Sequence, residues 1–121
     1  MAVSRMRRIN EVLREVVGAA ISSDLSDPRI GFVTVTSVET SPDLRTAKVF
    51  VSVLGDEEER EATLAALRSS HGVIQSKIAA ETRMKRTPTL TFLYDETVEQ
   101  GVRISRLLEE DEPPTPNQVE E

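Results

Sequence analysis

Two stretches of the 121-residue chain concentrate side chains that can bind phosphate. Residues 1–17 carry Arg5, Arg7, Arg8 and Arg14 against Glu11 and Glu15, and residues 77–86 carry Lys77, Arg83, Lys85 and Arg86 against Glu81 alone. Their local charges are +2 and +3. Guanidinium and ammonium groups gathered in this way neutralise phosphates without reading bases. A solvated charged surface is the plainer alternative, and only a fold that brings both stretches to one side separates the two readings. Arg29 and Arg45, in turns beside predicted strands, are placed to extend such a surface.

Catalytic chemistry has fewer candidates. His71 is the chain's one histidine, and at a predicted helix interruption it reads as a solvated polar group before it reads as a ligand. Asp24 with Asp27, and Asp95 with Glu96, are spaced to hold a divalent ion in a nuclease-like site, although turn formation explains such acids more simply. The chain contains neither GxxxxGK[ST] nor GxGxxG, the loops that cradle nucleotide phosphates. With no cysteine there is no disulfide, thiolate nucleophile or cysteine-based zinc site, and a reducing compartment is expected. The expectation is therefore no catalytic residue, no metal and no cofactor.

The elements that must position the bases can be read from hydropathy spacing. Ile9, Val12, Leu13, Val16, Val17, Ala20 and Ile21 recur on one helical stripe, with Ser4 as a candidate N-cap. Pro28 biases Asp27 away from helical angles, so this helix ends before DLSDPRI. β-Branched residues from Gly31 to Thr40 favour a strand. After a Ser41-Pro42-Asp43 turn, a second strand over 45–54 places Ala47, Val49, Val51 and Val53 on one face and Lys48, Phe50 and Ser52 on the other. An antiparallel hairpin is the simplest pairing. Asp56 and Glu59 form a capping box for a second helix with the stripe Ala62, Leu64, Ala65 and Leu67, and Ser70-His71-Gly72 interrupts it before a third helix with Val73, Ile74 and Ile78. Leu90, Phe92 and Tyr94 mark a third strand, and a short helix over about 97–108 closes the domain.

Length fixes one domain. At face value the net charge of −6 opposes a nucleic-acid partner, but six of the 21 acids (Glu109, Glu110, Asp111, Glu112, Glu120 and Glu121) lie in the last 13 positions, which contain none of the 15 bases. Residues 1–108 hold 15 of each sign. The expected organisation is a folded domain over 1–108 and an acidic, disordered tail over 109–121, whose composition offers too little apolar surface to offset ordering entropy. Asn10, Glu11, Arg14 and Glu15 interrupt the apolar run that a secretory signal would need, and no run approaches the roughly 20 residues of a membrane span. A soluble, cytoplasmic monomer is expected, with neither a membrane nor a small-molecule substrate.

The order α-β-β-α-α-β is that of an α+β, type II KH-like domain, a three-stranded sheet covered by helices on one face with a kinked helix pair. KH modules that grip single strands carry a GxxG loop between the paired helices, and this chain has Ser70-His71-Gly72 there instead. Beyond element order, RMRRI at 5–9, DPRI at 27–30, VTVT at 33–36, SPDL at 41–44, VFVSV at 49–53 and PTLTF at 88–92 followed by Asp95 together resemble the bacterial ribosome-binding factor A family over about residues 3–108. That resemblance implies a protein that binds the free small (30S) ribosomal subunit through 16S rRNA late in assembly, assists maturation of the 16S rRNA 5′ region and supports growth in the cold. It also implies that an Ala-x-Gly kink replaces the GxxG loop. Ser70 stands at the Ala position, where its hydroxyl can bond back into the preceding turn, and Gly72 keeps the glycine.

The expected rRNA contacts are Arg5, Arg8, Arg14, Arg29, Arg45, Lys77, Arg83, Lys85 and Arg86, with Ser70, His71 and Gly72 shaping the surface. Two rival readings are a protein-interaction module using the Lys48, Phe50 and Ser52 face or an edge strand, and a metal-dependent nuclease using Asp24, Asp27, Asp95 or Glu96.

Overall fold

The structure is a computed structural model that describes residues 2–23 and 25–97, with side chains from Arg5 onward. Of the helix predicted over about 97–108 only Thr97 is described; the rest of it, the tail over 109–121 and Asp24 lie outside the described residues. Three helices and three strands follow in the predicted order: α1 (Ala2–Ser23), β1 (Val33–Thr40), β2 (Thr46–Val53), α2 (Glu57–Ser69), α3 (His71–Glu81) and β3 (Thr89–Tyr94). The fold is α+β, and among the described residues no helix is long and apolar enough to cross a membrane.

The sheet order is β1-β2-β3. β1 and β2 form the expected antiparallel hairpin, with Val35 opposite Val51 and Val38 opposite Val49. β3 joins β2 in parallel, pairing Thr46 with Thr89 and Val49 with Phe92, because α2 and α3 carry the chain back to the end where β2 begins. The β1–β2 register slips at Thr36, between Val35 and Ser37, as at a bulge. The Thr36 hydroxyl lies 2.6 Å from Asp95 Oδ2 and 3.2 Å from the Phe50 carbonyl. The Asp95 N–H in turn donates to the Val51 carbonyl at 2.7 Å. Asp95 thus joins the bulge to the end of β3.

One face of the sheet is covered. Ala47, Val49, Val51 and Val53 of β2, Val35 and Val38 of β1, and Leu90 and Phe92 of β3 are all buried against Leu13, Val17 and Ala20 of α1, Leu64 and Leu67 of α2, and Ile74 and Ile78 of α3. α1 packs on β1 and α3, while α2 packs on β3. Enclosing each Leu, Ile or Phe contributes roughly 1.5–3 kcal/mol, and these aliphatic side chains supply a core that one buried Phe could not.

Three local expectations need correction. Ser4 does not cap α1, which already begins at Ala2 because neither Pro nor Gly stops it there. Val12 is 41 % exposed, at the margin of a stripe that turns Leu13, Val17 and Ala20 inward. On α2 the buried residues are Thr63, Leu64, Ala66 and Leu67, whereas Ala65 is exposed. Thr63 takes an inner position despite its hydroxyl because that group donates to the Arg29 carbonyl at 3.2 Å. The capping box stands as predicted: the Glu59 N–H donates to Asp56 Oδ1 at 2.8 Å, and the Asp56 N–H donates to Glu59 Oε1 at 2.9 Å. The returning Glu59 side chain lies where a Cβ on Gly55 would sit (2.6 Å to Oε1), and Gly55 has φ 140°, so only glycine fits.

Candidate nucleic-acid interface

The hairpin turn, the start of α1 and the α3–β3 connection meet at one end of the sheet. The parallel ladder begins there, with the Thr89 N–H donating to the Arg45 carbonyl at 2.9 Å, so the segment before β3 lies beside the segment before β2. Asn10 Oδ1 accepts the Thr40 N–H at 3.0 Å, which holds the first half of α1 against the end of β1. Past α3, the Thr82 hydroxyl caps the helix on the Ile78 carbonyl at 2.8 Å, and buried Pro88 leads into β3. Between these anchors lies an open depression of about 710 Å³ whose wall carries Arg5, Arg45, Arg83, Lys85 and Arg86. The two basic stretches therefore converge.

Ile9, Leu44 and Met84 supply the depression's apolar lining. Ile9 follows Arg5 by four residues and so shares its helix face. Leu44 is held at φ 61°, the left-handed region that a leucine seldom adopts. Its N–H donates to the Ser41 carbonyl at 2.9 Å while the Ser41 N–H donates to the Thr46 carbonyl at 2.9 Å, a tight turn in which this position ordinarily carries Gly or Asn. A glycine would relax the backbone but leave the depression without this side chain. Ser-Pro-Asp marks the turn in sequence, whereas nothing local marks Leu44 or Met84 as part of a site.

Among the described residues, Arg5, Arg83, Lys85 and Arg86 have no carboxylate partner. Arg45 has a loose one: its Nε is 3.9 Å from Asp43 Oδ2, with both side chains largely exposed. Asp43 is instead committed to its own turn, where it accepts the Ser41 hydroxyl at 2.6 Å and the Arg45 N–H at 3.1 Å. These bonds hold its carboxyl below the usual carboxylate range, the hydroxyl contributing most. The depression thus presents cations with little internal compensation, an arrangement suited to phosphate oxygens.

The other expected contacts lie elsewhere or are already engaged. Arg8, exposed one helical turn beyond Arg5, does not line the depression. Arg14 Nη2 bonds Glu11 Oε1 at 2.8 Å, and Lys77 Nζ lies 3.5 Å from Glu81 Oε2. Arg29 follows the C-terminal end of α1, away from Arg5, and grips Asp27 through side chain and backbone, with Nη2 to Oδ2 at 2.7 Å and the Arg29 N–H to Oδ1 at 2.9 Å. The guanidinium, and then the backbone N–H, holds the Asp27 carboxyl at about 2.

At the interruption, Ser70 ends α2 and starts α3 with φ −97° and ψ 10°, and its hydroxyl makes no capping bond. The back-bonding expected of Ser70 belongs to Ser69, whose hydroxyl donates to the Ala65 carbonyl at 3.1 Å. His71 Nδ1 lies 2.8 Å from the Arg68 carbonyl, so Nδ1 carries the proton, and the side chain is exposed. A Cβ at Gly72 would meet only open space.

For the nuclease reading, Asp27 is committed to Arg29, and Asp95 to Thr36 and to the Thr97 N–H at 3.0 Å. Among the described residues, no three acidic or histidine side chains are grouped to hold a metal.

Comparison with known proteins bears on the family and the fold. The family model of ribosome-binding factor A matches residues 5–108. The crystal structure of ribosome-binding factor A from Thermus thermophilus is similar, with 29 % identity over 74 % of this chain and 93 % of that one and a TM-score of 0.67. A solution structure of a Thermotoga maritima protein assigned as a ribosome-binding factor A gives 33 % identity over 74 % and 85 %, also with a TM-score of 0.67. A homology model of the Thermus thermophilus factor, fitted into the cryo-EM map of its complex with the 30S subunit, gives 30 % identity over 72 % and 91 % with a TM-score of 0.60. With the matched region reaching from Arg5, on the wall of the depression, past the whole of the described sheet, the chain belongs to the ribosome-binding factor A family.

Proposed function

We propose that this protein binds the free 30S subunit by engaging 16S rRNA phosphates in the depression formed by Arg5, Arg45, Arg83, Lys85 and Arg86. The observation that carries this reading is the convergence of those bases from three distant segments, four of them with no carboxylate partner among the described residues. Arg8 lies close enough to extend the contact along α1. Arg14 and Lys77 must exchange an internal partner for a phosphate, at modest cost for exposed pairs. Arg29 is a structural residue of its loop first and an RNA contact second.

The wider family reading completes the proposal: a non-enzymatic, cytoplasmic assembly factor, built as a KH-like domain over 1–108 with an acidic tail over 109–121, assists late maturation including processing of the 16S rRNA 5′ region. Binding that favours one rRNA arrangement stabilises it, and the factor leaves once the subunit no longer presents that arrangement. No cofactor or nucleotide is required for this differential binding. Sedimentation of cell extract through sucrose gradients at low and high salt tests the reading. Co-migration with free small subunits but not with 70S particles, lost at high salt and after RNase treatment, is expected; a complex that survives RNase overturns it in favour of a protein partner.

A further inference from the structure

We propose that in the free protein the basic depression is occupied by the chain's own acidic C-terminal segment, Glu109–Glu121, which an RNA phosphate backbone must displace. Charge complementarity is the first argument. Among the described residues the depression gathers five bases against the single carboxylate of Asp43, and the segment carries six carboxylates and no base. The chain's other dense acidic run cannot serve. Glu57, Glu58 and Glu59 are fixed at the start of α2, which follows the far end of β2, eight strand residues or about 26 Å from the depression.

Reach is the second argument. From Arg86 at the depression to Thr97 the chain advances eleven residues, so the described part ends at most about 36 Å away. The 24 residues that follow span up to about 80 Å when extended. If residues 98–108 form the helix their spacing predicts, they still advance about 16 Å, and 109–121 add about 40 Å. An extended segment brings all six carboxylates within reach, and with the helix formed the Glu120 and Glu121 end still reaches the depression.

The third argument is the fit of the segment to the apolar lining. Pro113, Pro114 and Pro116 separate the two acidic groups and favour an extended, polyproline-type backbone that loses little entropy on docking. Ile9, Leu44 and Met84 offer surface for those rings while the bases around them meet carboxylates on either side. A tethered segment acts at an effective concentration of order 1 mM, so even a weak contact lowers the apparent affinity for non-specific RNA by about 3- to 10-fold at low salt. Because these pairs are exposed, the effect vanishes as the Debye length shortens. A specific site that engages more of the surface outcompetes the tail, so the tail raises selectivity.

The chain's lack of cysteine allows a clean test on full-length protein. A nitroxide on Asn117→Cys should broaden the NMR signals of Ile9, Leu44 and Met84 at about 20 mM salt, spare Phe32 and Leu54 at the far end of the sheet, and lose its effect near 0.5 M salt. Broadening that is absent, or equal at both ends, overturns the proposal. In the second arm the six tail acids are neutralised together (Glu109→Gln, Glu110→Gln, Asp111→Asn, Glu112→Gln, Glu120→Gln, Glu121→Gln) and binding of a labelled oligouridylate is measured. Tightening of about 3- to 10-fold at low salt, and none at high salt, is expected; equal affinity at both salts overturns the displacement. This arm rests on the RNA-binding reading, and the two are separable: broadening at the depression with no oligouridylate binding to either form keeps the tail contact and removes the RNA role.

Discussion

Replacing Arg5, Arg83, Lys85 and Arg86 together by Gln removes the four bases of the depression that have no carboxylate partner among the described residues and leaves the loosely paired Arg45. With all five neutralising phosphates, log affinity for a 16S rRNA fragment falls against log salt with a slope of roughly −3.5 for single-stranded contacts to −4.5 for duplex contacts. Between about 50 and 200 mM salt the wild type then weakens by roughly 130- to 500-fold. With Arg45 alone the slope becomes roughly −0.7 to −0.9, and the same salt change costs only about 3-fold. All four side chains are exposed, so stability should move by no more than about 0.5 kcal/mol. Fluorescence anisotropy of the labelled fragment across a salt series reads the slope directly. Arg14→Gln with Arg29→Gln is the comparison pair: both arginines already have internal carboxylate partners, so replacing them should lower the slope less than replacing the bases of the depression. A slope unchanged by the four replacements, or reduced as much by the comparison pair, refutes the depression as the phosphate site.

Two further predictions concern the fold. Among the described residues, buried Thr40 Oγ1 has no hydrogen-bond partner, so Thr40→Val should be neutral or stabilise by up to about 1 kcal/mol in urea unfolding, whereas Thr63→Val, which strips the Arg29 carbonyl of its donor, should cost about 1 kcal/mol; effects of the same sign contradict this assignment. Asp27 titrates at about 2 in the fold against an ordinary 3.8, so its pairing with Arg29 contributes fully above pH 3.8 and is lost as pH falls toward 2. Thermal midpoints should therefore fall more steeply across that window for the wild type than for Asp27→Asn, and parallel acid profiles would show that the pair adds nothing to stability.

What the sequence conveyed was whatever short-range physics controls. Val49, Val51 and Val53 alternate because a strand must, and Asp56 with Glu59 marks a helix start because the unpaired N–H groups there need acceptors. Thr63 escaped because its burial depends on a carbonyl 34 positions away, and hydropathy scores only the hydroxyl. The parallel placement of β3 and the bulge at Thr36 likewise arise from partners distant in sequence. The basic stretches were visible as composition, but their convergence was not. Nor was the separation of Arg29 and Arg14, bound to local acids, from Arg83 and Arg86, which lack them among the described residues.

Because β3 pairs in parallel with β2, the depression cannot form from the hairpin alone. Arg45 and Leu44 come into place when β1 meets β2, but Arg83, Met84, Lys85 and Arg86 join them only after α2 and α3 have packed and β3 has docked, and Arg5 only after α1 has covered β1. A chain still completing its fold therefore holds its bases apart and has little to offer a phosphate backbone. Binding and folding are then thermodynamically linked: an oligonucleotide present at a hundred times its dissociation constant favours the native state by about 2.7 kcal/mol. On the proposed reading, RNA that fills the depression would act on this small domain as a ligand that completes it.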